Sequence, residues 1–252
     1  MKWDGSKETA LSSSVPGEER VPGCAIRSAR GGGVHVIGHA LVSVPRPATR
    51  IGWDRSIAVG FAVGSACFFI GPFPGFVQLV GTAADGVVFF AGSIFFTLAA
   101  AMELREGTVR RGHRWGRDPS WWSAAIQFVG TLLFNLSTFS AMQESLSTQQ
   151  ENRLIWTPDV FGSACFLVSG ALAYRVTAGP GLLPRRMDRA YTTAAVNLLG
   201  CVLFGISAIA SFVVPSTGSI LDLAAANWCT ALGALCFFIG ALLSWPTSPD
   251  AS

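Results

Sequence analysis

The chain has 252 residues, 50% of them hydrophobic and only 13% charged, and a mean hydropathy of +0.46. Soluble domains carry ~25% charged residues, so the composition excludes a water-soluble globule, extended disorder and a disulfide-stapled secreted scaffold. A net charge of +3 is too small to argue for nucleic acid, and a polytopic membrane protein remains.

Residues 1–50 are rich in Ser, Gly, Pro and Arg and include Gly31-Gly32-Gly33. They read as a disordered cytoplasmic segment. No apolar h-region of a signal peptide is present, and Val21-Pro22-Gly23-Cys24 lacks the apolar run of a lipoprotein cleavage site. His35 and His39 stand at i, i+4, a spacing that would place two metal ligands on one helix face; two histidines in a solvated tail are the plainer reading.

From residue 51 onward the pattern changes. Charge-free stretches run over 56–84, 86–102, 119–143, 160–174, 190–221 and 223–249. A membrane helix needs ~20 mainly apolar residues, and the expected spans are 55–73, 84–104, 120–142, 158–177, 190–213 and 224–245. Trp53, Trp121, Trp122, Trp156, Tyr191 and Trp245 fall at span ends, where amphipathic rings prefer the interface. Thr157-Pro158-Asp159 reads as an N-cap, an N1 proline and an acidic first turn. Asp85 and Asp222 are expected to cap the second and sixth helices. Arg175 is placed to snorkel at the end of the fourth.

Basic residues alternate between loops. Seventeen of the 18 lie in 1–55, 105–119 and 175–189, and only Arg153 lies in the intervening loops. By the positive-inside rule both termini are cytoplasmic, as an even number of spans also requires.

A motif recurs once per span: Gly, a small residue, two variable residues, Phe, two variable residues, a small residue. It reads Gly64-Ser65…Phe68…Gly71, Gly92-Ser93…Phe96…Ala99, Gly130-Thr131…Phe134…Ser137, Gly162-Ser163…Phe166…Ser169, Gly200-Cys201…Phe204…Ser207 and Gly233-Ala234…Phe237…Gly240. Six matches in six spans mark an internal repeat. Alternating short and long spacings divide the chain into three helical hairpins, at 51–105, 119–178 and 188–246, with a short tail at 247–252. Positions i, i+4 and i+7 share one helix face, so the motif reads first as a helix-packing code of grooves and knobs. The other reading is that the grooves line a solute path. The expected fold is all-α, a six-helix membrane bundle of three hairpin repeats about a pseudo-threefold axis.

The segments Val63-Gly64-Ser65…Phe68, Phe90-Ala91-Gly92-Ser93…Phe96 and Asp159-Val160-Phe161-Gly162-Ser163…Phe166 resemble those of the YrhK-like integral membrane proteins of bacteria. The resemblance covers about 51–245. It implies a multi-pass protein of the bacterial cytoplasmic membrane and carries over no activity and no catalytic residue.

Ionisable groups at membrane depth are costly and are functional candidates by default. Asp85, Asp159 and Asp222 stand near the non-arginine starts of spans 2, 4 and 6, as a cation-attracting ring or as three helix-terminal carboxylates stabilised by the dipole. Gln127 and Asn197 precede the motif Gly by three residues in spans 3 and 5 and share its face. Asn135 lies deeper in span 3, and Asn227 begins the apolar part of span 6. Together Asp85, Gln127, Asn135, Asp159, Asn197 and Asn227 form a candidate polar path; hydrogen bonding between helices would explain the amides equally. Glu103, followed by Arg105, reads as a solvated interfacial pair. His113 and its neighbouring arginines are suited to anionic lipid heads.

Five of the six cysteines lie in apolar runs and no CxxC is present, so no metal or redox site is expected. No HExxH, GxSxG, Walker or dinucleotide motif occurs, and no span carries a His, which argues against an enzyme and against a cofactor. The expected partners are the bilayer itself and other membrane proteins. Three functions are weighed: a non-enzymatic structural or accessory bundle with a dry interior comes first. A small-solute or ion transporter or channel, with a polar cavity near Gln127, Asn135 and Asn197 opening toward Asp85 and Asp159, is the alternative. An intramembrane enzyme comes last.

Overall fold

The structure, a computed structural model, describes residues 34–37, 40–43, 48–143, 145–179 and 187–246. The chain divides into two units, Met1–Arg46 and Pro47–Ser252. In the first, strands β1 (Val34–Ile37) and β2 (Ala40–Ser43) pair antiparallel, with His35 opposite Val42 and Val36 opposite Leu41. Of the segment expected to be disordered, the described residues 34–37 and 40–43 are extended, as Val34, Val36 and Ile37 favour, and residues 48–50 begin the first helix. His35 in a strand removes the helix-face spacing, and His39 lies outside the described residues.

The second unit consists of α1 (Ala48–Ile70), α2 (Pro74–Val80), α3 (Thr82–Arg111), a 3₁₀ turn (Gly112–Arg117), α4 (Pro119–Ala141), α5 (Thr148–Glu151), a π-helical segment (Asn152–Trp156), α6 (Thr157–Ala178), α7 (Arg189–Ala210), a two-residue ribbon of β3 (Val213–Val214) with β4 (Ser219–Ile220), and α8 (Leu223–Leu243). Six of these helical runs are long and apolar enough to cross a membrane. The protein is a multi-pass helical membrane protein. Its long helices close a ring: α1 packs on α3, α3 on α4, α4 on α6, α6 on α7, α7 on α8, and α8 returns to α1.

The polarity of the ring is inverted relative to a soluble bundle. Ser65, Ser93, Thr131, Ser163 and Ser169 are buried, whereas Leu98, Leu136, Phe161, Ile209 and Leu242 are each more than half exposed. Lipid tails are as apolar as Leu and offer no drive to bury it, so close contact of small side chains holds such helices together. Buried hydroxyls then need partners. Ser123 and Ser169 donate to each other's backbone carbonyl at 2.9 and 2.8 Å. Ser207 donates to Ala226 O at 2.8 Å, and Ser137 to Ile155 O at 2.9 Å.

Helix starts differ from the sequence expectation in instructive ways. The fourth span does not begin at Thr157. Helical structure begins at Thr148, where Ser147 and Gln150 form a capping box, and it passes through the π segment without a break. Proline lacks an N–H and its ring crowds the preceding turn; the wider π turn immediately before Pro158 accommodates both, and Thr157 Oγ1 donates to Asn152 O at 2.7 Å. Asp159 thus lies inside a continuous helix and is not at a cap. Asp85 sits in the first turn of α3 after Gly81, with no side-chain cap bond. Of the three carboxylates only Asp222 caps, accepting from Ala225 N at 2.9 Å. At the opposite end Asp118 and Asp188 do the same for α4 and α7, accepting from Ser120 N and Tyr191 N at 2.8 Å.

The expected loop at 74–83 is mostly the helix α2. Gly81, at φ 85°, makes the left-handed turn that redirects the chain into α3. The third element also overruns its expected end. Its apolar run, Thr82–Arg110, holds 29 residues, about 43 Å at 1.5 Å per residue against a ~30 Å hydrocarbon core. The excess is the charged end Arg105–Arg111, steadied by an i, i+4 ion pair between Glu106 and Arg110.

Candidate functional site: a vestibule closed by a phenylalanine layer

The six motif phenylalanines meet at the centre of the ring, all buried. Their ring centroids form two triangles. Phe68, Phe134 and Phe204, from α1, α4 and α7, are 6.4, 6.0 and 5.9 Å apart. Phe96, Phe166 and Phe237, from α3, α6 and α8, are 6.4, 5.9 and 6.2 Å apart. Contacts between the triangles are shorter still: 5.5 Å for Phe68–Phe96, 5.0 Å for Phe134–Phe166 and 5.2 Å for Phe204–Phe237. Most of these pairs are tilted or edge-on, the arrangement a ring quadrupole favours.

The glycines explain how six rings converge. Two antiparallel helices bring residue i of one level with residue i+4 of the other. The glycine of each motif therefore lies under the phenylalanine of its partner. A Cβ on Gly64 would stand 3.1 Å from Phe96, and one on Gly92 would stand 3.0 Å from Phe68. Gly130 and Gly162 relate in the same way to Phe166 and Phe134, as do Gly200 and Gly233 to Phe237 and Phe204. Only an absent side chain leaves room for the ring, and the residue after each glycine is small and at most 3% exposed in all six helices.

Against the Phe96–Phe166–Phe237 face lies a cavity of about 280 Å³. Its walls come from the arginine-loop ends of the helices, which carry polar groups in tiers. Asp54, Glu103, Glu106 and Ser244 lie at the helix ends. Ser123, in the first turns of α4, lies near them, and Gln127 and Asn197 lie deeper, beside Phe61, Cys201 and the phenylalanine layer. Gln127 Oε1 lies 3.3 Å from Ser169 Oγ, which places that amide against the wall. Asn197 packs so closely on Gly240 that a Cβ there would overlap its side-chain oxygen. Arginines stand beside the mouth, engaged elsewhere. Arg105 lies over the Trp53 ring at 5.0 Å and Arg55 over Trp245 at 5.9 Å. Arg189 donates to Leu242 O and Trp245 O at 3.4 and 2.8 Å. Glu103 and Arg105 are both exposed, as expected, but Arg105 is turned onto the Trp53 ring and makes no ion pair with Glu103 among the described residues.

Of the sequence-predicted polar path, the cavity brings together Gln127 and Asn197. It does not include Asn135, whose Nδ2 donates to Thr97 Oγ1 at 2.9 Å. Nor does it include Asp85, Asp159 or Asn227, which lie toward the other end of the ring. Asp85 Oδ1 and Asn135 Oδ1 are buried without a hydrogen-bond partner among the described residues. Sequence reasoning missed Asp54, Glu106 and Ser123 as wall residues. Glu103 and Glu106 at i, i+3 on one helix face were the available signal. The chain matches no protein-family model, no curated protein and no solved structure.

Proposed function

We propose that the protein is a small-solute carrier of a cytoplasmic membrane, non-enzymatic, with its site open to the cytoplasmic arginine-loop side. One observation carries this reading: a polar-walled vestibule, lined by Gln127 and Asn197, that ends at a packed aromatic layer. A dry structural bundle has no use for Glu103 and two amides around a central cavity, because each polar group held out of water costs free energy unless it is paired. At about 280 Å³ the vestibule lies near the lower end of the ~300–1,000 Å³ range of small-molecule sites. Its aromatic floor acts as the barrier that alternate access would have to rearrange. The three-hairpin repeat is part of the same reading, supported by the reciprocal Gly–Phe pairing within α1–α3, α4–α6 and α7–α8. So are a bacterial setting and kinship with the YrhK-like proteins, which rest on the motif residues. Cytoplasmic termini rest on the seventeen-to-one division of basic residues.

The test is flux into sealed liposomes carrying the purified protein, across a panel of cations, anions and neutral solutes. Protein-dependent flux of at least one solute, lowered by Asn197→Ala and by Gln127→Ala, is the expected result. No flux from protein shown to be folded overturns the carrier reading and leaves an accessory packing bundle.

A further inference from the structure

We propose that the vestibule is selective for organic monocations, a quaternary or tertiary amine on an apolar body, with Glu103 as the anchoring carboxylate. The inference deepens the carrier reading and rests on it. Among the described residues the wall holds three carboxylates, Asp54, Glu103 and Glu106, and no basic side chain. The arginines nearest the mouth are committed: Arg110 to Glu106, Arg105 to Trp53 and Arg55 to Trp245, and Arg189 to the carbonyls that end α8. Glu103 makes no hydrogen bond or ion pair among the described residues. A carboxylate facing a cavity with low-dielectric walls focuses a negative potential into it.

The floor completes the selection. Below the carboxylates the cavity narrows onto Phe61, Phe96, Phe166 and Phe237. Aromatic faces attract weakly hydrated cations and pack against apolar groups. A small metal ion would find no such use for these rings, and a hard cation prefers several oxygen ligands at short range. Gln127 and Asn197 lie between the carboxylates and the rings, each with an amide able to donate and to accept. The arrangement suits a ligand with one positive centre and an apolar body. It disfavours anions, which would meet Glu103 and, among the described residues, no basic side chain in the wall.

The test uses the full chain in lipid nanodiscs and three soluble probes of similar size: benzyltrimethylammonium, neutral N,N-dimethylbenzamide and anionic phenylacetate. Binding is read by equilibrium dialysis. Saturable binding of the cation, about tenfold tighter than that of the amide, is expected, with no binding of phenylacetate. Glu103→Gln should weaken the cation about tenfold and leave the amide unchanged, the loss expected when one partner of a partly desolvated charge pair is removed. A thermal unfolding curve matching that of the unsubstituted protein shows that the variant is folded; if it is not, Glu103→Asp, which keeps the charge, must retain the preference for the cation. Equal affinity for cation and amide, or no effect of Glu103→Gln in folded protein, overturns the proposal while leaving a solute site in place. Absence of binding by all three probes, together with absence of flux across the panel, overturns the carrier reading as well.

Discussion

Gly92→Ala is the sharpest probe of the packing code, because the structure supplies both the perturbation and its control. A Cβ on Gly92 would stand 2.7 Å from Cys67 Cβ and 3.0 and 3.1 Å from two atoms of the Phe68 ring. Carbon atoms rest ~3.5–4.0 Å apart, so α1 and α3 must separate by about 1 Å, and a gap of that size forfeits a quarter to a half of each dispersion contact it opens. The separation cannot stay local. Phe68 contacts Phe89, Phe96, Phe134 and Phe204, so a shifted Phe68 disturbs both triangles. Overpacking of this kind costs ~1–3 kcal/mol. The control is Gly205→Ala, also mid-helix, where an added Cβ meets nothing within 4 Å. There Ala should stabilise by up to ~1 kcal/mol through helix propensity and a less flexible unfolded chain. The two variants should therefore differ by about 2–4 kcal/mol in reversible unfolding in mixed detergent micelles. A Gly92→Ala protein within about 0.5 kcal/mol of Gly205→Ala would refute the claim that absent side chains set the helix spacing.

Phe166→Ala, at a position 3% exposed, should lower stability by ~3–5 kcal/mol, whereas Phe161→Ala, at 61% exposed on the same helix, should change it little; equal effects in the same micelle assay would remove the aromatic layer from the account. Ser123→Ala and Ser169→Ala should each lower stability by ~0.6–1.7 kcal/mol and add in the double variant, since each hydroxyl bonds the other residue's backbone carbonyl across α4 and α6; no loss from either variant would show that the pair is not an interhelical tie. Asp222→Ala should cost ~1 kcal/mol as a lost N-cap, while Asp159→Ala should show no capping loss, and hydrogen exchange over the first turns of α6 and α8 would separate them.

The sequence by itself determined that the chain crosses a membrane six times, because twenty consecutive apolar residues have few other stable settings. It determined the inward face of every span as well. The Gly, small residue and Phe pattern is a 3.6-period stripe in each helix, readable without a partner. Capping was only half legible: Asp222 keeps its expected role. Asp159 does not, because Pro158 is compatible with a first turn and equally with a π segment, and the choice falls to Ser147 and Gln150 upstream.

Tertiary structure alone decided where the polar groups meet. Gln127 and Asn197 were visible as inward amides. That they share a cavity with Asp54, Glu103 and Glu106, and that Asn135 does not, depends on the ring closing between α8 and α1 and on the direction each helix runs. Antiparallel neighbours place one triangle of phenylalanines toward the arginine loops and the other toward the opposite end. A stripe on one helix fixes which side faces inward, but only the register between helices fixes depth. Depth separates the Gln127 that lines a vestibule from the Asn135 that bonds to a neighbouring helix.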